Sequence, residues 1–325
     1  MMTLPLFVQR LSCFVLLALF AIITACGQLP KPAPQSGNGQ EVVLLVNSDA
    51  SINRYRIPAE SFKSALTSHA IVEVDLGEHS DPIEALQDHL NTQRVAGIHV
   101  VGAKALGAIN YLAPNAPVVY SGVLSWRQLQ EHISIPVKGV ASDVAPKAQL
   151  IWLKYFFPEL RKLGVLYSED NEYMLSEAHA AADELGIKLY AAHQHQAATL
   201  QDPVQEILTQ SEALWLISDP AVIRSEQAAQ RLFALAEKTG KPIFGYKRLF
   251  VDYGATLTIH ADEATIGRQA AIMLSRWMAG SHSVPEVQYP AGTSISLNMD
   301  KVKSLKLRLN ADALDSVAEI IESAP

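Results

Sequence analysis

Cysteine is nearly absent. The 325-residue sequence holds two, Cys13 and Cys26. Residues 27–325 therefore have no thiol for a disulfide, a thiolate metal site or a cysteine nucleophile. Whatever folds there is held by its core alone. Basic clusters are missing too. Lys and Arg number 26 against 33 Asp and Glu, a formal charge of −7. With no dense positive stripe to neutralise phosphates, nucleic acid is excluded as a partner. No apolar run reaches the roughly 20 residues that a bilayer-spanning helix needs. Catalytic signatures are lacking: there is no Gly-x-Ser-x-Gly, no Gly-x-Gly-x-x-Gly, no phosphate loop and no His-Glu-x-x-His. The sequence predicts no enzyme activity, no catalytic residue, no metal and no cofactor.

What is present begins with an export pattern. Met1 to Arg10 carries one positive charge, and Leu11 to Ile23 is continuously apolar. This order predicts a signal peptide over residues 1–25. Ile23-Thr24-Ala25-Cys26 resembles the bacterial lipobox, an aliphatic residue and two small ones before the cysteine that is acylated. Residues 26–40, rich in Pro, Gly, Ser and Gln, read as a flexible tether behind a lipidated Cys26. Stable anchoring needs more than one acyl chain, at about 0.8 kcal/mol per buried CH₂, which a di- or triacylated cysteine supplies. The expected location is the cell envelope, lipid-anchored and extracytoplasmic. Gly27 is not the aspartate that retains Gram-negative lipoproteins in the inner membrane. In a Gram-negative host it points to the periplasmic side of the outer membrane.

From Glu41 onward short β-branched runs alternate with amphipathic stretches. Strands are expected at Val42–Val46, Ile71–Val74, Ile98–Val101, Val118–Tyr120, Leu163–Tyr167, Ile187–Tyr190, Leu214–Ile217, Ile243–Phe244, Leu257–Ile259 and Ile295–Leu297. Helices are expected between them, clearest at Ala59–Ser68, Pro82–Thr92, Lys104–Leu112, Pro146–Phe156, Tyr173–Leu185, Ser225–Thr239 and Ala264–Met278. Such alternation predicts an α/β fold with parallel sheets covered on both faces. The rhythm breaks over 122–145, read as a crossing between two lobes. Lobe 1 is expected over 41–140, completed by about 247–285. Lobe 2 is expected over 141–246, completed by about 286–325.

Several stretches in the second half carry a family likeness. Ala116-Pro117-Val118-Val119-Tyr120-Ser121-Gly122 and Gly139-Val140-Ala141-Ser142 are two. Phe157-Pro158-Glu159-Leu160, Leu214-Trp215-Leu216-Ile217-Ser218-Asp219, Lys241-Pro242-Ile243-Phe244-Gly245 and Ile266-Gly267-Arg268 follow in order. Together, over about 117–310, the chain resembles the ABC-transporter substrate-binding family that includes binding proteins for aromatic amino acids. The resemblance implies a type I periplasmic-binding-protein fold: two Rossmann-like lobes, three crossings and a ligand cleft. The first lobe departs from the pattern. Its opening, Asn47 to Tyr55, is unlike the usual start. Ala103 stands where members often have threonine, and the Asp-Pro after the fourth strand is absent, with Ser125-Trp126 nearby.

Open α/β sheets bind ligands beyond the carboxyl ends of their strands. The expected contacts are therefore Ser48 after strand one, Ala103 after strand three, and Tyr120 and Ser121 after strand four. Asp219 and Tyr246 are expected from the second lobe, and Asp262 near a crossing. The resemblance favours Asp219 as a cleft acid, where it would pair with an ammonium group; Asp219-Pro220 is otherwise turn chemistry. Asp262 serves equally as a helix cap alone. Tyr120, Trp126 and Tyr246 could sandwich a flat ligand, or pack in the core. Arg268 reads as a solvated or interlobe charge. His193-Gln194-His195, the one close His pair, reads as a polar strand end rather than a metal site, and His260 is open between strand end and cleft wall.

These features predict a lipid-anchored solute-binding protein that captures a small organic ligand, an amino acid or a related molecule, for an ABC permease. A sensor or accessory lipoprotein on the same fold is the alternative. Replacing Cys26 with Ala should move the protein from the membrane to the soluble fraction. Persistence in the membrane after carbonate washing would show that the anchor lies elsewhere.

Overall fold

The computed structural model describes residues 41–77, 79, 81–127, 131–194 and 201–323. Cys26, the 26–40 stretch and His195 lie outside the described residues. The chain runs β1 (Val42–Asn47), α1 (Asn53–Ala65), β2 (Ala70–Asp75), α2 (Pro82–Thr92), β3 (Val95–Val101), α3 (Ala103–Leu112), β4 (Val118–Ser121) and β5 (Val137–Val140). It continues with α4 (Pro146–Phe156), β6 (Lys162–Tyr167), α5 (Glu172–Glu184), β7 (Lys188–His193), α6 (Gln201–Gln210), β8 (Ala213–Trp215), α7 (Glu226–Thr239), β9 (Ile243–Gly245), α8 (Leu249–Asp252) and β10 (Leu257–Ala261). Last come α9 (Glu263–Met278), β11 (Val287–Gln288), β12 (Thr293–Asn298), α10 (Met299–Ser304) and β13 (Glu319–Ile321).

Local chemistry explains the helix limits. Asp81 accepts from the Ile83 and Glu84 N–H groups, and Pro82 follows at a position that needs no donor. Ser225 caps α7 in the same way, and Gly240 ends it in the left-handed conformation at φ 65°. On α7 the buried residues Ala229, Leu232, Phe233 and Ala236 recur at helical spacing and face the sheet.

Two sheets result. The first has the order β11-β5-β4-β3-β1-β2, and the second β13-β12-β10-β9-β8-β6-β7. Pairing is parallel in the first sheet. In the second, β10 and β12 are antiparallel. The interior strand β1 is buried from Val43 to Asn47, as a strand covered on both faces must be. Every strand expected from the sequence is present. β5 falls in the stretch where the rhythm breaks, and the two-residue β11 and the edge strand β13 were not foreseen, being too short to show periodicity.

Three crossings join the lobes. The chain leaves the first sheet after β5 and enters α4 through residues 141–145. It returns at Asp262, between β10 of the second sheet and α9, which packs on α1, β3, β4 and β5. It leaves again between β11 and β12. The second and third crossings thus fall at Asp262 and at 289–292, later than the expected boundaries near 247 and 286. The cause is that β10 extends the second sheet and the small β11 the first. One apolar cluster runs through the first crossing, including Val140 and Val144 and reaching Phe156 and Trp215.

Close packing of α9 on α1 sets lobe 1. A Cβ on Gly267 would lie 2.1 Å from the Pro58 carbonyl oxygen. Gly267→Ala should therefore force the helices apart and destabilise by about 1–3 kcal/mol. At Gly107 on α3 an added Cβ meets nothing within 4 Å. Gly107→Ala should stabilise by about 0.5–1 kcal/mol. Urea unfolding midpoints of the two variants check both signs.

Candidate functional site

In each lobe the order of strands reverses beside its first strand, at β1/β3 and at β6/β8. Loops leaving such neighbours diverge and open a crevice at the carboxyl ends. Both crevices are braced by a short polar side chain. In lobe 1, Ser48 after β1 accepts through Oγ from the Ala105 N–H at 3.0 Å, supplying the cap that Gly102 cannot. Gly102 takes φ 93°, and a Cβ there would lie 2.4 Å from Ser48 Oγ. In lobe 2, Asp219 after β8 accepts from Ser168 N at 2.7 Å and from Ser168 Oγ at 2.9 and 3.0 Å. It also accepts from the Ala221 and Val222 N–H groups. Its carboxylate is buried and already surrounded by four donors.

The other expected contacts divide between cleft and core. Ala103 is exposed at the start of α3. Tyr246 follows β9, stands edge-on to Phe250 at 5.1 Å, and faces Ser218, Asp143 and Asp219. Asp262 caps α9 through Ala264 N at 3.2 Å and is bonded to Thr265 and to Arg268. Tyr120 points the other way. Strand alternation turns it into the far core of lobe 1, where its ring covers Gly139 and its hydroxyl has no partner. Burial and then Glu286 push that phenol well above its ordinary value. Ser121 is fully buried and bonds His99 Nε2 at 2.9 Å, under the Phe62 ring stacked on that imidazole. His193 meets Tyr167 edge to face at 5.1 Å. His260 sits in β10, its pKa lowered by burial. Among the described residues no group of three His, Cys, Asp or Glu could hold a metal.

Asp143, on the first crossing, was not singled out from the sequence. Its carboxyl faces the Ser218 hydroxyl from lobe 2, the Ser125 N–H from lobe 1, and Lys247. Tyr173 and Tyr246 stand close enough to be affected by its charge. Two hydroxyls beside it, Ser125 Oγ and Ser142 Oγ, are buried without partners. Ser125 holds φ 50°, a strained backbone state for a residue with a side chain. At the rim, the Arg127 guanidinium of lobe 1 lies 4.1 Å from the Tyr173 ring centre of lobe 2 and 4.8 Å from that of Trp126. Tyr289, on the third crossing, donates to Glu177 at 3.3 Å. The one signal that could have found Asp143 was the break in rhythm over 122–145, which marked the crossing but not its side chain. Two surface depressions lie elsewhere: one, near Ile243, Thr256 and Lys301, encloses about 190 Å³, and the other lies near Val95 and Ala116. Both adjoin the amino ends of strands.

Burial raises the Asp143 carboxyl from 3.8 to about 6, against the opposing pull of Ser218, Ser125 and Lys247. The folded state thus holds this proton more tightly than the unfolded one. The cost of ionising it is absent below pH 3.8, grows towards pH 6, and is complete above that. Asp143→Asn should therefore stabilise the protein by about 1–3 kcal/mol at neutral pH, and by almost nothing near pH ~4. Denaturant titrations at the two pH values check this.

The geometry accords with known proteins. Solved structures similar to the chain include an ABC domain from Streptococcus pneumoniae in complex with L-Trp, at 14% identity and TM-score 0.57, covering 86% of this chain and 100% of that one. A ligand-free, open substrate-binding protein with adhesive properties from Clostridium difficile matches at 14% identity and TM-score 0.66, over 88% and 100%. A periplasmic ribose ABC transporter protein from Conexibacter woesei matches at 14% and 0.51, over 84% and 98%. These likenesses show the type I periplasmic-binding-protein fold. No curated protein matches the chain. The family described as ABC transporter substrate binding protein matches residues 81–321, and the chain belongs to that family of solute-binding proteins.

Proposed function

We propose that the protein captures a small, partly flat organic molecule with a positive group, an amino acid or a relative of one, between the two lobes. It then presents this solute to an ABC permease from a lipid anchor at Cys26, outside the cytoplasm. The observation that carries the reading is Asp143: a desolvated carboxyl on a crossing, between unpartnered hydroxyls and beside two tyrosines. Such a group costs free energy in the empty cleft and gains a charge-assisted partner when a cation arrives. Tyr246 supplies an aromatic wall, with Ser48, Ala103, Asp219 and Asp262 framing the crevice edges. Tyr120 and Ser121 support the floor from the core of lobe 1. Family membership supports the transport role, and the L-Trp complex of the pneumococcal protein supports a ligand of this size.

A ligand that bridges both walls adds contacts absent from an open cleft, so binding favours closure. Mass spectrometry of whatever co-purifies with residues 41–325 identifies the solute. Titration calorimetry with it should show Asp143→Asn and Tyr246→Ala each weakening binding by roughly ten- to a hundredfold. Unchanged affinity in both folded variants would remove the cleft from consideration.

A further inference from the structure

The cleft contains two cations that its own carboxylates do not pair. Arg54 stands in the first turn of α1, on the lobe 1 wall, and Lys247 follows β9 on the lobe 2 wall. Neither joins an ion pair among the described residues. Arg54 Nη2 donates to Tyr55 Oη at 2.6 Å, and its guanidinium lies 4.5 Å from that ring's centre. Lys247 Nζ lies 5.3 Å from the Tyr246 ring centre. Lys247 is half-buried. Burial first, and Arg54 second, hold its ammonium below the ordinary lysine range, while Asp143 acts in the opposite sense. Glu263 faces Arg54. Neither carboxylate forms an ion pair with the cation it faces.

The other carboxylates nearby are committed elsewhere: Asp219 accepts from Ser168, Ala221 and Val222, and Asp262 from Ala264 N and Thr265. The α1 helix begins without a side-chain cap and with no acid in its first turn, so its leading N–H groups add to the positive field. The unpartnered hydroxyls of Ser125 and Ser142 offer two further donors. Like charges on opposite walls repel more strongly as the walls approach and water leaves. An anion between them reverses the sign of that interaction.

We propose that Arg54 and Lys247 form a clamp for an anionic oxygen group on the ligand, a carboxylate or a phosphate, and that the cleft closes fully only around a ligand that brings one. The inference rests on the solute-binding reading and adds a charge requirement to it. Arg54 is exposed and holds no core contact, so Arg54→Met keeps the fold. Lys247→Met removes the charge and keeps an unbranched apolar side chain beside Tyr246.

The test uses three probes at constant ionic strength: inorganic phosphate, phenylacetate and the neutral phenylacetamide. Calorimetry and melting temperature are read on the wild type and on both variants. Phosphate, phenylacetate or both should bind the wild type at least about tenfold more tightly than phenylacetamide, and each variant should lose that preference. The stronger of the two anions tells phosphate from carboxylate chemistry. Equal response to all three probes in the wild type, or a preference that survives in both variants, would overturn the clamp. A co-purified solute retained equally by wild type and variants would overturn the clamp alone and leave solute binding intact. Absence of any cleft ligand, with the anion preference present, would instead sink the solute-binding reading.

Discussion

The geometry of this protein depends on one constraint: parallel strands buried on both faces leave only their ends open, and the loops that diverge at the carboxyl ends form the crevice. Side chains on the sheet faces are committed to the core, so polar chemistry is confined to the loops that leave β1, β3 and β4 in one lobe and β6, β8 and β9 in the other. Three crossings bring those two loop sets together. Each crossing also contributes a polar side chain of its own, namely Asp143, Asp262 and Tyr289. Asp143 and Tyr289 face groups of the second lobe, whereas Asp262 is committed to the first turns of α9.

The cleft is electrostatically unfinished, whereas the crevices that flank it are complete. Asp219 is surrounded by donors from Ser168, Ala221 and Val222, and Ser48 is committed to the start of α3. Asp143, Lys247 and Arg54 have no comparable set. The low-dielectric surroundings that make an unpaired charge costly also make its eventual partner bind strongly. The raised pKa of Asp143 and the lowered pKa of Lys247 are two signs of the same shortage of partners. A protein that must fold without disulfides can carry such a cost because three apolar clusters surround the sheets.

Much of the architecture was legible in the sequence because strand and helix periodicity is local. Pro82–Thr92 and Pro146–Phe156 appear with the expected limits, since Pro at a first helical position and the following apolar spacing are both written in consecutive residues. The α/β class followed from alternation. Ser48, Asp219, Tyr246 and Asp262 could be named because a residue following a strand must lie at the carboxyl end.

What each of those side chains touches was settled only by the tertiary structure. Tyr120 and Ser121 sit on consecutive positions of one strand and so enter opposite faces of a sheet covered on both sides. No local pattern distinguishes a tyrosine at a cleft from one that fills the space above Gly139. Asp143 lies in an Ala-Ser-Asp-Val-Ala sequence that reads as an ordinary turn before a helix. It becomes a desolvated acid only because β4, β8 and β9, distant in sequence, end around it. Sequence by itself determined which segments become strands and helices and which end of each strand carries the loops. Only the fold decided which charges are left without partners, because desolvation and pairing depend on neighbours that the chain brings together last.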